Sequence, residues 1–431
     1  MIAKFLNENC ACRTLDTNLL TSKEFFSNIS EGRPNLFSAT TVFISPKQLM
    51  AMTSIINAIE EAIHTPQFKD IGLNRCAEIA KTTKGPRGVF MGYDFHLSED
   101  GPKLIEINTN AGGALLNLEL ARAQQECCQE MNIFFKHQKE LLTLDKSFYE
   151  MFINEWRIQR GDLPMGLIAI VDDNPPGQYL YPEFQLFQRL ISHFGGKAVI
   201  ADAKDFQFKE GKLWLDGERI DFVYNRLTDF YLEDESHAAL RSAYEQDAIV
   251  LTPAPYHHAL YANKLNLVTL SDETLLSSLP ISQTTKEILL TGIPRTEEVL
   301  PSKADDLWER RRGLFFKPVS GFGSKATYRG DKITRKVWND ILHAQYVAQA
   351  LVPPSKRLVQ KEIEQADLKL DIRAYVYEGK IQIIAARLYS GQTTNFRTHG
   401  GGFAPVFVIE GSKDFKTSCE IILKGNKALH D

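Results

Sequence analysis

The segment from Gly88 to Asn108 constrains the fold of this chain more than any other. GVFMGYDFHL and KLIEIN are strand-like runs on either side of the turn signal Ser98-Glu99-Asp100-Gly101-Pro102, so together they read as a hairpin. With Leu97 and Lys103 closing a five-residue loop, Asp94 stands directly opposite Glu106. Glu106 and Asn108 share a face, because side chains alternate along a strand. Two carboxylates opposed across a ladder repel one another. A hard cation turns that repulsion into binding. Asp94, Glu106 and the amide oxygen of Asn108 suit Mg²⁺, which takes few protein ligands and keeps positions for water and phosphate oxygens. The plain alternative is an exposed hairpin with its polar residues toward solvent.

The chain of 431 residues, 43% apolar and 24% charged, is neither disordered nor a disulfide-stapled scaffold. At roughly 150 residues per domain, that length predicts two or three packed units. Fifty Lys and Arg against 54 Asp and Glu give a formal charge of −4, so no global positive field draws nucleic acid and any phosphate recognition is local. Met1 to Leu6 is too short for the apolar core of a signal peptide, and no run is long enough to cross a bilayer. Cysteines at 10, 12, 76, 127, 128 and 419 form no paired C-x-x-C set, which predicts reduced thiols and a cytoplasmic protein without a membrane partner.

Lys47 to Ala62 carries apolar residues at Leu49, Met50, Ile55, Ile56 and Ile59 with a period of about 3.6 and reads as a helix. Residues 114–160 also read as helical, ending near Gly161. A new unit opens at Met165, where the strand GLIAIV, the amphipathic helix YPEFQLFQRLISHF and the strand KAVIA make an open β-α-β unit. Its first turn, Asp172 to Gly177, is no dinucleotide fingerprint. KLWL and ERIDFVY flank Asp216-Gly217 as a hairpin. From about Asn263 to Val352 the pattern is helix, loop, strand pair and helix. LVQKEI, LDIRAYVY and IQIIAARL are then three strands, followed by the loop SGQTTNFRTHGGGFAP.

Two further constellations can carry chemistry. Lys317 ends an apolar strand and precedes Gly321-Phe322-Gly323-Ser324-Lys325. That arrangement places an ammonium on phosphate oxygens while loop amides close over them, although the loop is no Walker A sequence. The other set is Arg373, Arg387, Asn395 and Arg397, whose guanidinium forks match carboxylate and phosphate oxygens. Arg373 and Arg387 share a face if the turn at Glu378-Gly379-Lys380 has three residues, and lie on opposite faces if it has two. Each of these features also has a plain reading, as a simple hairpin or as solvated surface charge.

Tyr93-Asp94-Phe95-His96 followed by Ile105-Glu106-Ile107-Asn108-Thr109 resembles the metal hairpin of the ATP-grasp ligases. Its place before the α/β unit and the glycine loop is similar to the order in circularly permuted, eukaryotic-type glutathione synthetases. In the same order, Asn263-Lys264 resembles the first nucleotide lysine, and Phe316-Lys317-Pro318 with its loop resembles the second lysine and phosphate lid. Gln360, Lys361, Glu362 and Ile363 resemble the hinge that holds adenine. Phe396-Arg397-Thr398 with Gly400-Gly401-Gly402 is similar to the substrate-covering loop. The pattern departs from that family in two places: Val319 to Ser324 contains no acid, and His399 stands where a lysine follows Arg-Thr. Other permuted groups, glutathionylspermidine synthetase-like chains included, fit the order as well.

The resemblance implies an α/β (α+β) chain with a circularly permuted ATP-grasp fold and an inserted Rossmann-like, open-sheet substrate domain. The implied divisions are 1–162 (helical region and metal hairpin), 163–260 (Rossmann-like), 261–358 (nucleotide lobe and lid) and 359–431 (hinge and C-terminal part of the catalytic sheet). It implies an ATP- and Mg²⁺-dependent carboxylate–amine ligase working through an acyl phosphate, with Mn²⁺ able to replace Mg²⁺. Asp94, Glu106 and Asn108 would hold the metal. Lys264, Lys317, residues 321–324 and 360–363 would hold ATP. Arg373, Arg387 and Arg397 would serve catalysis, and Asn110, Arg226, Asn395 and Arg397 the small-molecule carboxylate and amine substrates. A homodimer is compatible with this reading. A phosphotransferase on the same fold and a non-catalytic nucleotide-binding protein are the alternatives.

Overall fold

A computed structural model describes residues 2–16, 32–124, 141–321, 323, 326–360, 364–392 and 398–409. Three sheets carry the chain. The largest runs in the order β1 (Val42–Ile44), β17 (Gly402–Val408), β16 (Lys380–Tyr389), β15 (Gln365–Tyr377), β2 (Met91–Ser98), β3 (Gly101–Asn108), with β14 (Ser355–Gln360) pairing the first half of β15. The N-terminal hairpin and the C-terminal strands therefore share one sheet. The second sheet has the order β5 (Lys197–Asp202), β4 (Leu167–Asp172), β8 (Glu218–Asn225), β7 (Lys212–Leu215), β6 (Gln207–Lys209), with β9 (Val250–Thr252) on β8; β5, β4, β8 and β9 are parallel. A small antiparallel sheet follows the order β10 (Thr296–Glu298), β13 (Tyr346–Ala350), β11 (Leu314–Pro318), β12 (Tyr328–Arg329).

The 3.6-residue pattern at 47–62 forms the helix Pro46–Ile63, started by a Ser45–Gln48 capping box and Pro46 at its first position. Its apolar stripe, including Ile55, Ile56 and Ile59, packs on the back of the large sheet against Tyr93, Phe95, Ile372 and Ala374. The predicted helix over 114–160 is two helices, Ala114–Arg122 and Leu144–Arg160, while 125–140 lie outside the described residues. The β-α-β unit and the Asp216-Gly217 hairpin form as the pattern predicts, with Leu215 opposite Glu218. Among the described residues no helix is long and apolar enough to cross a membrane, and Cys10, Cys12 and Cys76 form no disulfide.

Both hairpins of the large sheet contain a β-bulge that the sequence pattern does not announce. The β2–β3 turn is the two-residue Glu99-Asp100, with Ser98 opposite Gly101, rather than a five-residue loop. That register would set Asp94 against Ile105. A shift between Asp94 and Phe95 leaves Ile105 unpaired and restores Asp94 opposite Glu106. The β15–β16 turn is likewise two residues, Glu378-Gly379, both with positive φ (48° and 72°), as a primed hairpin turn needs. Arg373 and Arg387 nonetheless share a face, contrary to the turn-length rule. Tyr375 pairs with Ile383 and Val376 with Ile381, so Gln382 is the extra residue that turns Arg387 around.

Deleting Gln382 is therefore expected to swing Arg387 into the apolar layer of Ala386 and Leu388. An unpaired charge buried there costs about 3–5 kcal/mol. Urea denaturation should show that loss, and an unchanged midpoint would contradict the assigned bulge.

Candidate functional site

The bulges collect charge on one face of the large sheet. Glu106 on β3, Asp94 on β2 and Arg373 on β15 lie in consecutive register. Asp371 on β15 stands opposite Arg387 on β16. The Arg373 Nε and Nη2 each donate to Asp94 at 2.6 Å, one to each carboxylate oxygen. Arg387 donates through Nη2 to Asp94 Oδ2 at 2.7 Å, and through Nε and Nη2 to Asp371 at 2.7 and 3.0 Å. All four side chains are buried. Such bidentate, charge-assisted pairs are strong and hold one geometry. Burial opposes the charge on Arg387, but Asp371 and Asp94 outweigh it and hold its pKa above the ordinary arginine value. Among the described residues neither guanidinium uses its Nη1.

The small sheet closes over this floor. Lys317 on β11 donates to the carbonyl of the bulged Ile105 at 3.0 Å and to Gln349 Oε1 at 2.9 Å. Lys264 follows a single π-turn, His258–Ala262, a device often found at functional sites, and donates to the Gly321 carbonyl at 2.8 Å. Between floor and roof lies a cavity of about 320 Å³, the size of a small-ligand site. Its walls include Asp94, His96, Glu106, Asp371 and Arg387 below, and Lys264, Phe315, Lys317, Gly321 and Gly323 above.

Glu106 is the electrostatic centre. Burial alone would raise its pKa, but Lys317, Lys264 and Arg387, with the Asn108 amide, pull it from 4.5 to about 2. Burial lowers Lys317 to about 8, with Lys264 adding to that shift and Glu106 opposing it. Lys264 is lowered for the same first reason. Three cations thus converge on one carboxylate. Such a cluster is complementary to an anion larger than the carboxylate itself.

Residues 350–354 cross from the small sheet to the large one and line the cavity as a hinge. Of the residues expected to hold adenine, Gln360 ends β14 and is not among the residues lining this cavity, and Lys361, Glu362 and Ile363 lie outside the described residues. In the hinge, Leu351 N–H is spent on the Gly313 carbonyl, and Pro353 and Pro354 have no N–H. Among the described residues Val352 N–H has no backbone acceptor.

Asn110 and Arg226, expected at the substrate, are occupied by the framework. Asn110 Nδ2 donates to the Leu227 carbonyl at 2.8 Å. Arg226 is buried, donates to the Ala111 carbonyl at 2.7 Å, lies 3.7 Å from Glu183 and sits over the rings of Phe184 and Tyr224. Glu183 accepts the N–H groups of Gly113 and Leu115 at the start of the helix Ala114–Arg122. These contacts lock the loop after Asn108 onto the second sheet. Phe322, Ser324, Asn395 and Arg397 lie outside the described residues. The residues that sequence reasoning missed are Asp371, His96 and Gln349. The first two carried a signal, because LDIR and YDFH each place two polar side chains two apart in an apolar strand.

The donor set can be tested against Mg²⁺. Both Asp94 oxygens take charged N–H groups from Arg373 and Arg387, so Asp94 stands here as an arginine partner. Among the described residues no three His, Cys, Asp or Glu side chains gather as a metal site. Asn108 Nδ2 lies 3.0 Å from Asp94 and 3.3 Å from Glu106, an orientation assigned from the hydrogen-bond network. What fits is an ion shared with phosphates: Glu106 as the carboxylate, with Asn108 turned to present its oxygen, since Mg²⁺ on a nucleotide needs only one or two protein carboxylates.

A charged floor and a smaller antiparallel roof, joined by residues 350–354, thus enclose the cleft. The chain spans, at 91% of its own length and 98% of the other's, a glutathione synthetase-like effector, GSS30, from Globodera pallida solved in its apo form, with a TM-score of 0.53 and 11% identity. That likeness establishes the fold. More distant similarities are to the ATP-grasp ligase PsnB complexed with a minimal precursor (TM-score 0.33, 15% identity, 61% of this chain and 83% of that one) and to D-alanyl-alanine synthetase A from Vibrio cholerae (0.31, 13%, 62% and 80%). PsnB has also been solved with Mg and ADP. No family model and no curated protein matches the sequence.

Proposed function

We propose that the protein is an ATP-dependent carboxylate–amine ligase, glutathione synthetase-like in its order of parts. The observation that carries this reading is the convergence of Lys264, Lys317 and Arg387 on Glu106 beneath a hinge with one unused N–H. ATP lies with its base at Val352 and its phosphates between Lys264 and Lys317, under residues 321–324. A divalent ion, Mg²⁺ or Mn²⁺, held by Glu106 and Asn108 supplies charge neutralisation at the phosphates. Arg387, aimed by Asp371 and Asp94, stabilises the transferring phosphoryl group through its unused Nη1, and Arg373 braces it from the next strand. Arg397 and Asn395 orient the substrate carboxylate, which takes the γ-phosphoryl group as ADP leaves; the amine then attacks the acyl carbon, and inorganic phosphate and a proton are released.

The fold's finer history belongs to the same proposal. The hairpin β2–β3 sharing a sheet with β14 to β17 supports a circularly permuted order, and the parallel strands β5, β4, β8 and β9 support an inserted Rossmann-like unit near 163–260. Residues 1–162, 261–358 and 359–431 then form the remaining pieces, with the crossing at 350–354 at the end of 261–358.

The test is ADP release from ATP with pooled amino acids, dipeptides and polyamines, with the products read by mass spectrometry. An amide product is expected. A phosphorylated acceptor assigns a kinase instead, and tight ATP binding without either product assigns a binding protein.

Lys317 adds a pH signature. Its lowered pKa means that the folded protein loses this charge as pH rises through about 8, whereas an ordinary lysine keeps it to 10.5. ATP affinity measured by calorimetry is expected to hold near pH 7 and to weaken above pH 8, by at most about tenfold per pH unit for one linked proton. Lys317→Arg, which stays charged, should flatten that profile.

A further inference from the structure

We propose that His96 selects the nucleoside half of the ligand, by presenting a bare Nε2 as acceptor to a hydrogen-bond donor on the base or the ribose. This rests on the nucleotide reading above and adds a specificity-determining residue to it.

His96 lies two positions along β2 from Asp94, on the same face, and lines the cavity beside the hinge. Its Nδ1 is 2.7 Å from the Val352 carbonyl. A carbonyl oxygen only accepts, so the proton sits on Nδ1, and in the neutral ring Nε2 keeps its lone pair. The hinge enforces this tautomer. Pro353 restricts Val352 to extended backbone, so the Val352 carbonyl cannot swing away through a helical conformation. Burial favours the neutral ring against the pull of Asp371 and the Val352 carbonyl.

Among the described residues Nε2 carries no hydrogen bond. The charged donors nearby are spent elsewhere: Lys317 on Ile105 and Gln349, and the paired nitrogens of Arg387 on Asp371 and Asp94. A bound ligand is therefore the partner that satisfies it. A polyphosphate is anionic and repels a lone pair, whereas an exocyclic amine and a ribose hydroxyl both donate. The acceptor accordingly faces the nucleoside, in keeping with the contact of the same ring with the Val352 carbonyl of the hinge.

Calorimetric titration of the wild-type protein with ATP, purine riboside triphosphate (no exocyclic amine), 2′-deoxy-ATP and 3′-deoxy-ATP tests this without a variant. One of the three analogues, naming the donor, is expected to bind about tenfold or more weakly than ATP, because it covers the cavity-facing Nε2 without giving it a donor. His96→Asn can still donate to the Val352 carbonyl but has no acceptor at the Nε2 position. It should keep the thermal midpoint and bind ATP and that analogue equally. Wild-type affinities all within twofold of ATP, or discrimination that survives in the Asn variant, overturn the assignment of His96 and leave the nucleotide site standing. Failure of the wild-type protein to bind ATP overturns both.

Discussion

Asp94→Ala is expected to destabilise the protein by about 3–5 kcal/mol in metal-free buffer, the usual cost of leaving buried charge without its partner. Arg373 loses both of its acceptors and Arg387 loses one, and each guanidinium is buried. Asp94→Asn should cost less, since the amide oxygen still accepts. Asp94→Leu combined with Arg373→Met should recover most of the loss, because a buried ion pair can be replaced by apolar side chains of similar volume. The sign separates two accounts. If Asp94 were a metal ligand facing Glu106 across the ladder, removing it from the metal-free protein would relieve like-charge repulsion and raise stability. Chemical denaturation of the metal-free variant reads that sign directly.

Glu106→Gln is expected to reduce ATP-dependent turnover by on the order of a thousandfold while the protein remains folded, since it removes the carboxylate on which the phosphate-site cations and the bridging ion are centred. Full turnover in that variant would rule out Glu106 as the ligand. The substitution also has a stability signature. The pKa of Glu106 falls from 4.5 to about 2 on folding, so the group stabilises the native state above pH 4.5 and that contribution disappears as pH drops through 2. Up to about 3 kcal/mol at neutral pH follows from the size of the shift. Glu106→Gln should be less stable than wild type at pH 7, and the gap should close between pH 4.5 and 2. A gap that does not change with pH would mean that the neighbouring cations do not act on this side chain.

Much of the site was legible because charge inside an apolar strand is costly and therefore conspicuous. Asp94, Glu106, Arg373 and Arg387 all stand out in that way, and the structure brings all four to one face. Their roles were harder to read, because a strand pattern gives faces but not partners. Asp94 looked like a metal ligand while its nearest cations lay on strands almost 280 residues further along the chain. The two bulges were invisible for a related reason: a bulge is one unpaired residue, Ile105 is apolar like the strand residues beside it, and a single polar Gln382 between Ile381 and Ile383 reads as ordinary strand alternation. In the first hairpin a wrong loop length and an unseen bulge cancelled, so Asp94 opposite Glu106 was reached by an incorrect register. The crossing from one sheet to the other by Leu351-Val352-Pro353-Pro354 was not singled out, because two prolines after an apolar strand read as an ordinary connection. Arg226 was read as a substrate contact because its buried partners, Glu183 and the Ala111 carbonyl, come from distant segments.

The central claim is that nucleotide occupies the cleft between the β2–β3 hairpin and the small sheet. A structure of the protein with a non-hydrolysable ATP analogue and Mg²⁺ tests it most directly. The expected result has the base against the Val352 N–H and the phosphates between Lys264, Lys317 and Glu106, with Asp94 still paired to Arg373. An analogue bound outside this cleft, or a metal ion seated on Asp94 with its arginines displaced, would contradict the account.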